Sequence, residues 1–202
     1  MSNSILTQVV HGSSFFEERT GAVSYPIYQC ATFRHQGLGE TTGYDYSRQQ
    51  NPTREELEKS IAIIESGKYG FAFSTGMAAI ASVFELFSAG DHIIATDDIY
   101  GGSYRLFTTI CKNHGLEFSF IDSSNISEIE KNIRPNTKAL FIESPTNPTM
   151  KITDIKKAAA IAKASNLITI VDNTFMTPYF QHPLLLGADI VVHSGTKYIG
   201  GH

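Results

Sequence analysis

Residues 138–173 read KALFIESPTNPTMKITDIKKAAAIAKASNLITIVDN. Residues 138–145 and 167–173 are apolar runs that read as strands. Between them, residues 152–166 carry helical spacing, with Asp154 near the start, where a carboxylate suits a helix N-terminus. A strand, a helix and a strand in succession imply a parallel crossover, and so a sheet covered on both faces.

The same alternation extends outward in both directions. Downstream, ADIVVHS (188–194) is a further strand. Upstream, LEFSFID (116–122) is a strand and ISEIEKNI (126–133) a short helix. HIIATDD (92–98) is a strand, followed by a helix through YRLFTTICKNHG (104–115). YGFAFS (69–74) reads as a strand and GMAAIASVFELFSAG (76–90) as a helix ending at Gly90. The texture changes at Pro52. In NPTREELEKSIAIIESG (51–67), Thr53 and Glu56 form a capping-box pattern. Leu57, Ile61 and Ile64 share one helical face, and Gly67 is a plausible stop. The chain is therefore α/β, a mostly parallel sheet with helices on both faces. Residues 1–51 lack periodicity and are expected to form an extended N-terminal arm, with residues 52–202 as the large domain.

Bulk properties narrow the function. A chain of 202 residues with 42% hydrophobic content supports one substantial core and at most two domains. The net charge of -4 and the lack of a basic patch argue against nucleic-acid binding. No apolar run approaches the ~20 residues of a membrane span. The first residues, MSNSILTQVVHGSS, lack the basic-then-apolar order of a signal peptide, so a cytoplasmic protein is expected. Cys30 and Cys111 stand far apart and in no metal spacing. They are read as reduced, partly buried thiols, and no metal site is expected.

In open parallel sheets, ligands gather beyond the carboxyl ends of the strands. Polar residues follow several of these strands: Ser74 and Thr75, Asp97 and Asp98, Glu143 and Ser144, Asp172 and Asn173, His193 and Ser194. Lys197 lies just past the last strand. A loop lysine is ordinarily solvated, but partial burial at such a rim would make its amine a nucleophile toward carbonyls, able to hold an aldehyde cofactor. Asp172 either caps its turn or holds a protonated ring nitrogen, the feature that makes pyridoxal phosphate (PLP) an electron sink. STGMAAI (74–80) places the N–H groups of Gly76 and Met77 at a helix start, where phosphate binds. Ser194 and Thr196 add hydroxyls beside the lysine. Tyr46 and Arg48, on alternate residues of YDYSRQQNPT, would point the same way and suit a phosphate dianion. Tyr100, before Gly101 and Gly102, would stack on a flat ring.

Seven segments in order then identify a resemblance: TGAVSYPIYQCATF (20–33), YDYSRQQNPTR (44–54), STGMAAI (74–80), DDIYGGSYRLF (97–107), ESPTNP (143–148), VDNTF (171–175) and HSGTKYIGGH (193–202). The chain resembles the PLP-dependent enzymes of cysteine and methionine metabolism, the transsulfuration group, over nearly its whole length. The resemblance implies the large domain of a fold type I PLP-dependent transferase. It makes Lys197 the lysine that joins the cofactor aldehyde and Tyr100 the residue stacked on its ring, both catalytic. Asp172 becomes the partner of the pyridine nitrogen. Gly76, Met77, Ser194 and Thr196 become phosphate ligands, and Asn147 the neighbour of the phenolic oxygen. It places Tyr46 and Arg48 on the phosphate of a neighbouring subunit, in a dimer of dimers.

Within the group, methionine γ-lyases typically carry a cysteine where this chain has Gly102. YGGSYRLF looks most like the cystathionine γ-synthase and γ-lyase branch, acting on cystathionine or an O-acylhomoserine. Cystathionine β-lyase, O-acetylhomoserine sulfhydrylase and methionine γ-lyase stand as alternatives. Members of the group run to roughly twice this length, with a smaller C-terminal domain that clamps the substrate carboxylate. The expectation here is a truncated large domain. A non-catalytic fragment that binds PLP or self-associates is the reading from another class.

Overall fold

The computed structural model describes residues 4–14 and 16–201. His202, the last residue of the HSGTKYIGGH segment, lies outside them. The chain divides into two units, residues 1–72 and 73–202.

The first unit contains α1 (Ile5–His11) and α2 (Pro52–Ile64). The arm thus opens with a helix instead of running extended throughout. Ser4 caps α1 by accepting the Thr7 N–H. Seven residues are too few to reveal a helical period. In α2 the cap is Asn51, whose side-chain oxygen accepts the Thr53 N–H at 2.9 Å, with Pro52 in the first turn. Thr53, the expected cap, is occupied elsewhere. Its hydroxyl accepts the Tyr28 N–H and donates to the Pro26 carbonyl, tying the arm to the helix.

The second unit carries α3 (Gly76–Phe84), β1 (His92–Thr96), α4 (Gly101–Arg105), β2 (Glu117–Ile121) and α5 (Ile126–Asn132). Then follow β3 (Thr137–Glu143), α6 (Ile155–Ala164), β4 (Ile168–Asp172), α7 (Thr177–Phe180) and β5 (Ile190–Val192). All five strands pair in parallel in the order β2-β1-β3-β4-β5. Alternation along each strand divides the core. Ile93, Ala95, Phe141, Ile170 and Val192 pack with Ile80 and Phe84 of α3. Ile94, Leu140, Ile142 and Val171 pack with α5 and α6 through Ile129, Ile155, Ala158 and Ala162. Both faces of the sheet are covered, as the continuous apolar runs require.

Three further expectations are corrected. The helix α3 ends at Phe84 and not at Gly90. Residues 69–74 form no strand. Among the described residues they have no ladder partner, the Ala72 N–H goes to Glu58 Oε1 at 2.9 Å, and Tyr69 and Phe71 are exposed. An apolar extended run becomes a strand only when a neighbour supplies the hydrogen bonds. The helix expected over 104–115 is interrupted by a π-helical turn, Leu106–Cys111. There the Thr108 and Thr109 hydroxyls donate to the Tyr104 and Arg105 carbonyls, competing with the regular ladder.

Candidate cofactor site

The second unit gathers its chemistry at the carboxyl ends of β3, β4 and β5. Period-two alternation puts Glu143 on the same face as Phe141, and Asp172 on the same face as Ile170, both toward the side covered by α3. Asp172 is buried, and its Oδ1 accepts the Thr174 N–H at 3.0 Å. Burial pushes its carboxyl above the usual range, against the opposing pull of Thr174 and His193. Glu143 is 7% exposed, and burial, aided by the neighbouring Asp172 charge, pushes it up to about 7. Its Oε2 accepts the Tyr100 N–H at 2.8 Å and its Oε1 the Asn147 N–H at 3.0 Å.

The phosphate candidates meet at the start of α3. Thr75 caps this helix, its hydroxyl accepting the Ala78 N–H at 3.0 Å. A Cβ on Gly76 would fall 2.9 Å from Ser194 Cβ and 3.0 Å from Ser194 Cα, so only glycine lets α3 and the end of β5 approach this closely. Ser194 is held by donating its N–H to Thr174 Oγ1 at 2.8 Å. Tyr100 closes another side. A Cβ on Gly102 would strike the Tyr100 ring and lie 3.0 Å from Met77 Sδ, so these three residues are in mutual reach.

Lys197 differs from expectation. It is exposed, like its neighbours Gly195, Thr196 and Tyr198. Its main-chain N–H donates to the Ser194 carbonyl at 3.1 Å, tethering it to the phosphate candidates. Among the described residues its ammonium forms no hydrogen bond or ion pair. Asn147 is also exposed, its backbone held by Glu143 and its loop by Asp98. Asp98 accepts from the Thr146 hydroxyl at 2.5 Å and the Thr149 N–H at 3.1 Å. Tyr46 and Arg48 lie in the first unit and do come together. The guanidinium sits 4.8 Å above the tyrosine ring and donates to its hydroxyl at 3.2 Å. Cys30 is exposed and Cys111 buried, both free.

These residues suit a phosphorylated pyridine aldehyde. A buried carboxyl whose charge is disfavoured by burial calls for a cationic partner, which a protonated ring nitrogen supplies. A helix start with a bare glycine against a serine suits phosphate. Glu143 as a hub and Thr174 as the brace between Asp172 and Ser194 emerge only in the folded chain. The acidic end of an otherwise apolar strand was the signal for the first.

The model of the Cys/Met metabolism PLP-dependent enzyme family matches residues 6–202. The chain is 56% identical over 196 residues to the cystathionine gamma-lyase of Bacillus subtilis, covering 97% of this chain and 52% of that protein. It is 52% identical over 199 residues to a cystathionine beta-lyase of Lactococcus lactis, covering 98% of this chain and 52% of the relative. A crystal structure of cystathionine gamma-lyase from Lactobacillus plantarum, complexed with L-serine, superposes with a TM-score of 0.95 at 48% identity. It covers 99% of this chain and 52% of that one. The chain thus spans about half the length of the curated relatives it matches. With its parallel sheet and rim residues alongside these likenesses, the chain belongs to the Cys/Met metabolism PLP-dependent enzyme family.

Proposed function

We propose that residues 73–202 form the PLP-binding part of a transsulfuration enzyme acting on cystathionine or an O-acylhomoserine, by Cα deprotonation and γ-elimination or γ-replacement. The observation that carries this reading is the buried Asp172 at the end of β4, on the rim where Gly76 meets Ser194. Bound there, PLP supplies an aldehyde and a ring that stabilises negative charge at the substrate Cα. Asp172 would hold the ring nitrogen protonated. Gly76, Met77, Ser194 and Thr196 would receive the phosphate, Tyr100 would lie against the ring, and Asn147 would serve the phenolic oxygen. The Lys197 amine would anchor the aldehyde and move the proton at substrate Cα. Tyr46 and Arg48, paired through their side chains, act on the phosphate of a neighbouring subunit in a homo-oligomer.

Cystathionine β-lyase is the second reading, favoured by the 52% identity to the Lactococcus lactis enzyme. Both readings share the cofactor test. PLP added to the chain should give an absorbance band near the visible edge that Lys197→Ala lacks. A wild-type chain without the band defeats the assignment. Turnover of cystathionine, and of an acylated homoserine with cysteine, separates the reactions by product: cleavage to cysteine or to homocysteine, or formation of cystathionine.

A further inference from the structure

Most carboxylates at strand ends are solvated, whereas Glu143 is 7% exposed and spends both oxygens on main-chain N–H groups from two different loops. One belongs to Tyr100, the first cap position of α4, where no side chain caps the helix. The other belongs to Asn147, in the loop that leaves β3. That loop is pinned on its other side by Asp98, which follows β1 and accepts from Thr146 and Thr149. We propose that Glu143 is a positioning residue, a clasp whose two carboxyl oxygens set the separation between the Tyr100 and Asn147 main chains and so the seat for the cofactor between them. This deepens the PLP reading and rests on it for its consequence, though the clasp itself stands on the two hydrogen bonds.

The clasp acts through the two main chains it holds. A glutamine at 143 keeps the volume but offers a single acceptor oxygen, its amide nitrogen facing an N–H that needs an acceptor. An alanine offers none. Leaving a main-chain donor without its acceptor shifts a local opening equilibrium by about tenfold or more.

Amide hydrogen exchange of the 202-residue chain, followed by NMR, reads the clasp directly. In the wild type, the Tyr100 and Asn147 amides should be protected. Glu143→Gln should lower the protection of one of them at least tenfold, and Glu143→Ala that of both, while the Leu140 and Ile170 amides stay unchanged. Unprotected amides in the wild type, or protection untouched by both variants, overturns the clasp without reference to any cofactor. PLP titration then reads its consequence. The dissociation constant should rise about tenfold in Glu143→Gln and further in Glu143→Ala. Equal affinity in all three, with protection lost, overturns the positioning role. A wild type that binds no PLP overturns the proposed function, and the exchange data then decide the clasp alone.

Discussion

Glu143 and Asp172 are register partners across β3 and β4, two buried acids side by side at the end of the sheet. Burial raises both, and the Asp172 charge adds to the rise of Glu143. For Glu143 the folded chain holds its proton up to about pH 7, whereas the ordinary value is 4.5. Between those values the folded state binds more protons than the unfolded one. The stability contributed is therefore complete below the ordinary value and lost as pH rises through 7. Wild type should lose on the order of 3 kcal/mol relative to Glu143→Gln between pH 4.5 and 8. Urea denaturation at several pH values measures this. Parallel pH profiles for the two proteins would mean that Glu143 does not titrate in this range.

Asp172→Asn separates folding from binding. Asparagine is nearly isosteric and can still accept the Thr174 N–H, but it carries no charge to bury. Stability at pH 7 should be equal or greater than wild type. Affinity for PLP should fall tenfold to about a hundredfold, as expected when a charge-assisted hydrogen bond becomes a neutral one. Denaturation and spectroscopic titration of the same preparation check both arms. Unchanged affinity would remove Asp172 from the site.

Gly102→Ala should move Tyr100 at little cost in stability. The added Cβ meets the Tyr100 ring and Met77 Sδ, both side-chain atoms that rotation about χ angles can move, so the backbone need not shift. Alanine also gains about 1 kcal/mol of helix propensity over glycine. The net change in stability should stay within about 1 kcal/mol, while near-ultraviolet circular dichroism reports the displaced ring and PLP affinity drops. A crystal structure of the variant with Tyr100 in its original place would refute the steric account.

The sheet was legible because each buried strand is a continuous apolar run and each crossover helix has its own period, as in residues 138–173. Asp154 was legible too, and does cap α6 by accepting the Lys157 N–H at 3.0 Å. What stayed hidden depends on partners distant in sequence. Thr53 looks like a cap until the arm claims its hydroxyl. Residues 69–74 look like a strand until no neighbour pairs with them. Glu143 looks like any polar strand end, and only the return of two loops onto it makes it a hub. Lys197 lies past the last strand, as the order of the sequence implies, but its exposure depends on what packs over the rim, which local sequence does not encode.

Gly76→Ala should behave unlike the change at Gly102. Here the added Cβ meets Ser194 Cα at 3.0 Å, a backbone atom that cannot swing aside, and Ser194 Cβ at 2.9 Å. Ser194 is itself fixed by the hydrogen bond of its N–H to Thr174. Relief requires α3 to draw back from the end of β5, an overpacking cost of about 1–3 kcal/mol. The same retreat widens the gap that would hold the phosphate, so affinity for PLP should fall together with stability. Inorganic phosphate, tested as a competitor of PLP in wild type, should compete less effectively in the variant. A variant of wild-type stability, with unaltered phosphate competition, would show that α3 and Ser194 are not in the close contact on which the cradle depends.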